Sequence, residues 1–276
     1  MEKISIFGVD IYNTTLEDTV EVLKGYLKGD RLRKVYTPNT EIVMAAKDDG
    51  DLRDLLNRGD LVIPDGIGLI YGSKIQGKPL KERVTGFDTS MELLKLANEN
   101  NYSIYLLGCK DGVAKQAAEN IKKDYPNIKI TGYHHGYFKG CHMGIEDSEE
   151  ELKIIEEINE SAPDIIFVGL GFPNQEIWID SNADRLNSKV IIGNGGVMDV
   201  LAGNAKRAPE IYQKLGLEWL YRLIKEPSRI KRQLVLPKFM LTVIFNRDAI
   251  KNGTEGREYC PLRNCSPVEL IREDKV

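Results

Sequence analysis

The sequence is poor in the residues that build metal, redox and disulfide sites, with four cysteines and three histidines among 276 residues. Cys109, Cys141, Cys260 and Cys265 contain no CxxC pair and suggest no disulfide framework. A reduced, cytoplasmic setting is the expectation. His134, His135, Cys141 and His142 crowd into GYHHGYFKGCH, but their spacing fits no structural zinc pattern, and the stretch reads as a surface loop. No apolar run approaches the ~18 residues that would span a bilayer. The start, MEKISIFGVDIYNTT, lacks the basic-then-apolar order of a signal peptide. GxGxxG is missing too. GCKDG, after YSIYLL, could offer backbone N–H groups to a phosphate but is only weak evidence for a dinucleotide. From Gly72 to Pro79 the chain approaches a P-loop, yet Pro79 stands where the magnesium-binding hydroxyl belongs. No metal and no cofactor are expected.

What is present describes an ordinary globular protein, 42% hydrophobic and 29% charged, long enough for one large core or one domain with an appendage. The net charge of -4 argues against wholesale nucleic-acid binding. The charge is uneven, however. Residues 206–238 carry a net +6, leaving -10 for the rest. Within them, YRLIKEPSRIKRQLVLPKFM sets Arg222, Lys225, Arg229, Lys231, Arg232 and Lys238 against Glu226 alone. Such a local excess asks for an anionic partner.

Short β-branched runs alternate with helical patterns. KISIFGVDI, KVYTP, DLVIPD, YSIYLLG, IKITGYH, DIIFVGLG and KVIIGNGG read as strands. LEDTVEVLKGYLKG, TEIVMAAK, TGFDTSMELLKLANENN (with Asp88 or Thr89 as N-cap), VAKQAAENIKKDYP, 149–161 and EIWIDSNADRL read as helices. This succession predicts an α/β fold, a Rossmann-like and mostly parallel sheet flanked by helices, over residues 1–203. Residues 204–251 follow as a helical appendage broken by Pro209, Pro227 and Pro237. Residues 252–276 show no periodicity and read as a poorly ordered tail.

In such folds ligands sit beyond the carboxyl ends of the strands. Thr37 and Asn39 fall just past one strand, Asp65 past another, Asn174 and Gln175 past a third, and Asn194 past a fourth. Each alone is better explained by turn chemistry, which favours the same residue types. Their joint occurrence at one edge is the stronger signal. Asp65 is the sharpest case, because apolar neighbours (VIP before it, GIGLIYG after) should raise its pKa and suit it to accept a proton near neutral pH. The competing expectation is a turn or helix cap. Asp49 and Asp51 match the metal-holding DxD pair of many glycosyltransferases, but they follow a helix and read as a charged turn. On one continuous helix, Arg222, Lys225, Arg229 and Arg232 would share an arc of roughly 80° beside apolar residues. That is the pattern of a segment lying on an anionic membrane surface, although the residues alone favour a solvated helix covering the sheet.

Taken in order, YTPNTEIVMAA, LVIPDGIGLIYG, ERVTGFD, LLGCKDGVA, VGLGFPNQEIWI and KRAPEIYQKLGLEWLYRLIKEPSRIKR resemble the WecG/TagA/CpsF glycosyltransferases from about residue 3 to 240. The resemblance implies transfer of N-acetylmannosamine from UDP-ManNAc to the 4-hydroxyl of GlcNAc on undecaprenyl diphosphate, with inversion, in wall teichoic acid synthesis. It implies Asp65 as base and Thr37 and Asn39 as substrate-orienting residues. Arg83 and Gln175 would line the same pocket, and Arg222, Arg229 and Arg232 would close over the leaving diphosphate without a metal. It also implies peripheral attachment to the inner face of the cell membrane. GNGGVMDVLAG stands where many relatives have GVGAAFDF, which leaves a related donor such as UDP-ManNAcA open. A nucleotide-binding regulator that docks on membranes without chemistry is the alternative outside the enzymes. The oligomeric state is open, a homo-oligomer included.

Overall fold

The computed structural model describes residues 1–227 and 230–253. A six-stranded parallel sheet is built from β3 (Arg33–Tyr36), β4 (Leu61–Val62), β5 (Ser103–Gly108), β6 (Lys129–His134), β7 (Ile165–Gly169) and β8 (Val190–Gly193). Their spatial order is β4-β3-β8-β7-β5-β6, and every pairing is parallel. All carboxyl ends therefore lie along one edge. The predicted α/β class holds.

The continuous apolar runs arise because both faces of the sheet are covered. Along β7, Ile165 and Phe167 pack into one cluster, and Ile166 and Val168 into the other. Ile104 and Leu106 of β5 likewise face away from Tyr105 and Leu107, and all eight residues are fully buried. Each such side chain contributes about 1.5–3 kcal/mol relative to exposure. Helices α1 (Leu16–Leu27), α5 (Gly86–Asn100) and α6 (Val113–Asp124) pack on the face of Ile165 and Phe167; α2 (Thr40–Asp48), α3 (Gly50–Asn57), α4 (Ile67–Ile75), α7 (Glu149–Ser161) and α8 (Asn174–Asn182) pack on the face of Ile166 and Val168.

The structure departs from the sequence reading at several elements. KISIFGVDI is not one strand but a hairpin, β1 (Lys3–Ile6) and β2 (Val9–Tyr12), in a separate antiparallel sheet. Phe7 (φ 50) and Gly8 (φ 85) form its two-residue turn, both in the left-handed region that matches strand twist. Asp49 and Asp51 do not mark a free turn. The Asp49 carboxylate accepts from Leu52 N at 3.0 Å and caps α3. GIGLIYG is a helix, α4, whose glycines let neighbours close in. The N-cap of α5 is Thr85, neither Asp88 nor Thr89; its hydroxyl oxygen accepts from Asp88 N at 3.0 Å.

Beyond α9 (Val197–Leu201) the chain forms an arm of α10 (Glu210–Lys214), α11 (Glu218–Lys225), α12 (Ile230–Gln233) and α13 (Val235–Phe245). Pro209 precedes α10 and Pro227 follows α11, as expected of breakers. Pro237 does not break a helix. It sits in the first turn of α13, where its missing N–H is not needed. Phe239 and Val243 of α13 are fully buried against α4, and Phe239 meets the Phe7 ring edge-on at 5.7 Å. Then β9 (Ile250–Asn252) pairs with β1, so residue 252 belongs to a strand and not to the tail. The rest of the predicted tail, with Cys260 and Cys265, lies outside the described residues.

Candidate active site at the carboxyl edge of the sheet

The parallel topology brings the ends of β3, β4 and β8 to one edge, and with them Thr37, Asn39, Asp65 and Asn194. Backbone hydrogen bonds tie the first three together: Ile63 N donates to Tyr36 O at 2.9 Å, and Asp65 N to Pro38 O at 3.2 Å. Gly66 must be glycine here, because an added Cβ would lie 2.8 Å from Thr40 N and 3.2 Å from Asn39 Cα.

The Asp65 carboxylate does not cap the helix that follows it; Gly66 is the N-cap of α4, which has no side-chain cap. Its Oδ2 accepts from Gly86 N, the first residue of α5, at 3.1 Å. Among the described residues its Oδ1 has no hydrogen-bond partner. Burial pushes its pKa above the usual carboxylate range. The Gly86 N–H, Arg83 and Arg222 act in the opposite sense but do not reverse the shift. A carboxylate placed this way, partly open and with one oxygen unengaged, is equipped to take a proton from a hydroxyl.

Thr37 lies beside the same turn. A Cβ on Gly86 would sit 2.9 Å from Thr37 Oγ1, and no hydrogen bond engages that hydroxyl among the described residues. Asn39 is first a structural residue, since its Oδ1 accepts from Glu41 N at 2.8 Å and Ile42 N at 3.1 Å and caps α2. Its amide nitrogen remains as a donor. Gln175 is buried, 5% exposed. Its Oε1 accepts from Gly195 N at 3.0 Å and its Nε2 donates to Glu176 Oε1 at 3.0 Å, so it ties α8 to the loop after β8. Asn174 begins α8.

The arm delivers charge to this edge. Arg83 forms a salt bridge with Glu218 at the start of α11. Arg207 lies 3.5 Å from the same carboxylate, and its guanidinium sits over the Phe87 ring at 4.4 Å. It grips Asp88 with contacts of 2.7 and 2.9 Å. Burial opposes the charge on Asp88, but the hydrogen bonds from Arg207 and Thr85 outweigh it and hold the carboxyl below its usual range. Arg222 is exposed on α11 and makes no salt bridge among the described residues. Arg232, on α12, is bidentate to Glu41 of α2 at 2.8–3.1 Å. Arg229 lies outside the described residues. The arginines do not share one continuous helical face, because α11 ends at Lys225 before α12 begins. Neither Arg207 nor Glu218 emerges from the sequence reading, since their partners lie more than a hundred residues away and no local pattern announces them.

The other motifs resolve without chemistry. The near P-loop is the end of α4 and the turn after it, where Lys78 N donates to Ser73 O at 2.9 Å. His142 is buried against the Phe138 ring at 4.7 Å, and His134 rests on His135 at 4.4 Å. The arm leaves a row of apolar side chains exposed, namely Ile224, Ile230, Leu234, Leu241, Ile244 and Phe245, the last 83% exposed. Among the described residues no helix is long and apolar enough to cross a membrane.

A family model described as the glycosyl transferase WecG/TagA/CpsF family matches residues 4–252. Curated relatives named N-acetylglucosaminyldiphosphoundecaprenol N-acetyl-beta-D-mannosaminyltransferase match nearly end to end. That of Bacillus subtilis (strain 168) is 37% identical over 245 residues, 88% of this chain and 92% of its own length. That of Staphylococcus aureus (strain MRSA252) is 36% identical over 253 residues, 91% and 96%. That of Bacillus spizizenii (strain ATCC 23059 / NRRL B-14472 / W23) is 34% identical over 245 residues, 88% and 91%.

Proposed function

The chain belongs to the WecG/TagA/CpsF glycosyltransferase family, and we propose that it transfers N-acetylmannosamine from UDP-ManNAc to the 4-hydroxyl of GlcNAc carried on undecaprenyl diphosphate. The names of its relatives supply the sugar transferred and the lipid-linked acceptor. The product is a β-1,4 linkage, an early intermediate of wall teichoic acid. The observation that carries the reading is Asp65, a carboxylate with a raised pKa and an unengaged oxygen at the carboxyl edge of the sheet, within electrostatic reach of Arg83 and Arg222.

The chemistry is one in-line displacement. The acceptor O4 forms a bond to the anomeric carbon as the bond from that carbon to the β-phosphate oxygen breaks. Asp65 takes the hydroxyl proton, and UDP leaves with the electron pair. Inversion needs no second carboxylate and no covalent sugar intermediate. Thr37 and the Asn39 amide donor lie beside the base and orient the sugars. Negative charge grows on the diphosphate, and electrostatic stabilisation of that charge is the largest demand on the protein. Arg83, Arg222, Arg229 and Arg232 supply it. Their planar forks suit two phosphate oxygens at once, and no metal is required. Arg83 and Arg232 pair with Glu218 and Glu41, so taking up the diphosphate exchanges one anionic partner for another.

The acceptor's lipid stays in the bilayer. The exposed apolar side chains of α11, α12 and α13 rest on that surface, next to the arginines, and keep the enzyme peripheral on the inner face of the membrane. The test is UDP release on mixing UDP-ManNAc with a lipid-linked GlcNAc acceptor. Release that depends on both substrates and survives EDTA is expected. UDP-sugar binding without release would favour the regulator, and activity restored only by Mg²⁺ or Mn²⁺ would overturn the arginine account. Release with UDP-ManNAcA instead of UDP-ManNAc would move the donor assignment within the family.

A further inference from the structure

The base is aimed by polar groups that do not belong to the arm. Asp65 Oδ2 has one protein donor, Gly86 N at 3.1 Å. One turn along α5 stands Ser90, fully buried, with its Oγ 2.7 Å from Gly86 O and 3.2 Å from Asn194 Oδ1. Asn194, 4% exposed, is the first residue beyond β8, and its Nδ2 is buried without a hydrogen-bond partner.

A serine hydroxyl has a single proton, and Gly86 O at 2.7 Å is the nearer acceptor. A second hydrogen bond at Ser90 Oγ therefore requires Asn194 to donate. Half a turn of the Asn194 amide brings its NH₂ to the hydroxyl oxygen and gives the buried nitrogen its partner. The order of donation then runs from Asn194 to Ser90 to Gly86 O, with no buried donor left unmet.

Asn194 is itself rigidly mounted. Its N donates to Val168 O at 2.6 Å and its O accepts from Val197 N at 2.8 Å, while the next residue's N–H is held by Gln175. Gly86 is confined on its other side by Thr37.

We infer that Asn194 and Ser90 are positioning residues for Asp65, holding Gly86 so that its N–H fixes one carboxylate oxygen and leaves the other facing the acceptor. The assignment rests on the reading of Asp65 as base. It places the aim of the carboxylate in the middle of the sheet, while the arm supplies charge only.

The experiment is steady-state transfer by the full chain, with UDP-ManNAc and the lipid-linked acceptor, for Ser90→Ala, Asn194→Leu and the double variant across a pH series, with thermal melts and Asp65→Asn alongside. Each single variant should lower kcat roughly tenfold with little change in donor KM, the loss expected when one buried hydrogen bond that positions the base is removed. The double variant should be no worse than the singles, since both cut the same link. The acid limb of the pH profile should move upward, because a weaker Gly86 bond leaves the ionised carboxylate less favoured. Variants that melt earlier yet keep kcat and the acid limb would reduce both residues to packing and overturn the proposal. Should Asn194→Leu fail to fold, Ser90→Ala decides alone. Turnover retained by Asp65→Asn would instead remove the base, whatever Ser90 and Asn194 do.

Discussion

Arg83 and Glu218 meet across 135 residues of chain, with side chains only 16% and 14% exposed. The pair joins the loop before α5 to the first turn of α11, so the charge that balances Arg83 comes from the arm. Arg207 approaches the same carboxylate and carries it on to Asp88. Two cations and two acids thus lock the arm over the helix whose first N–H holds Asp65.

Glu218→Gln should therefore loosen more than one contact. Removing a largely buried anion leaves Arg83 undercompensated, and the expected loss is about 1–3 kcal/mol in urea unfolding. Burial limits screening, so the loss should persist at high salt. An unchanged midpoint would show that the pair contributes no more than an exposed surface bridge.

Asp65→Asn should abolish transfer while leaving the fold intact. Because burial raises the carboxyl's pKa, the acid limb of kcat/KM for the wild type should lie above the ordinary carboxylate value of about 4. The sign follows from the role: a base must be ionised, and a raised pKa keeps it protonated to higher pH. Measurement of kcat/KM against pH checks both statements. A limb at the ordinary value, or near-normal turnover in the variant, would take the role from Asp65.

The contrast between what the sequence discloses and what it hides has a physical origin. The fully buried strands and their order of appearance are legible, because a parallel sheet covered on both faces requires unbroken apolar runs, as in IIFVG. The strand-end residues Thr37, Asn39 and Asp65 follow from that alone, since every carboxyl end must share one edge. The hairpin at Phe7-Gly8 is concealed because the first of its two left-handed turn residues is a phenylalanine, held by packing on Phe239 and not by turn propensity. α4 is concealed because its glycines, chosen for close approach, carry poor helix propensity. Arg207, Glu218 and Ser90 act through partners far along the chain, and a local pattern cannot contain them. Asn39 and Gln175 are legible as strand-end residues, but their engagement in capping and bridging is visible only in three dimensions.

The arm docks by glycine as well as by charge, and Gly72 tests that separately. A Cβ there would lie 2.8 Å from Phe239 Cε1 and 3.5 Å from Val243 Cγ2, both on α13. Gly72→Ala should overpack this contact at a cost of about 1–3 kcal/mol. The arm should become the first region cut in limited proteolysis, with the sheet still protected. Uniform resistance equal to that of the wild type would mean that α13 shifts to accept the methyl group without loss.

Glu176 offers a test of pH dependence that leaves the base untouched. It is 3% exposed, its Oε1 accepts from Gln175, and its Oε2 has no partner among the described residues. Burial lifts its pKa to about 7, whereas in the unfolded chain a glutamate titrates near 4.3. Between those values the native protein keeps a proton that the unfolded chain has released. The contribution is therefore whole below about pH 4, falls as the pH climbs, and is gone above about 7, a difference on the order of a few kcal/mol. Glu176→Gln still offers Gln175 an amide oxygen and never ionises. Urea unfolding should show the variant matching the wild type at about pH 4 and exceeding it at about pH 8. A gap of the same size at both values would show that Glu176 does not change its charge on folding, and that packing alone separates the two proteins.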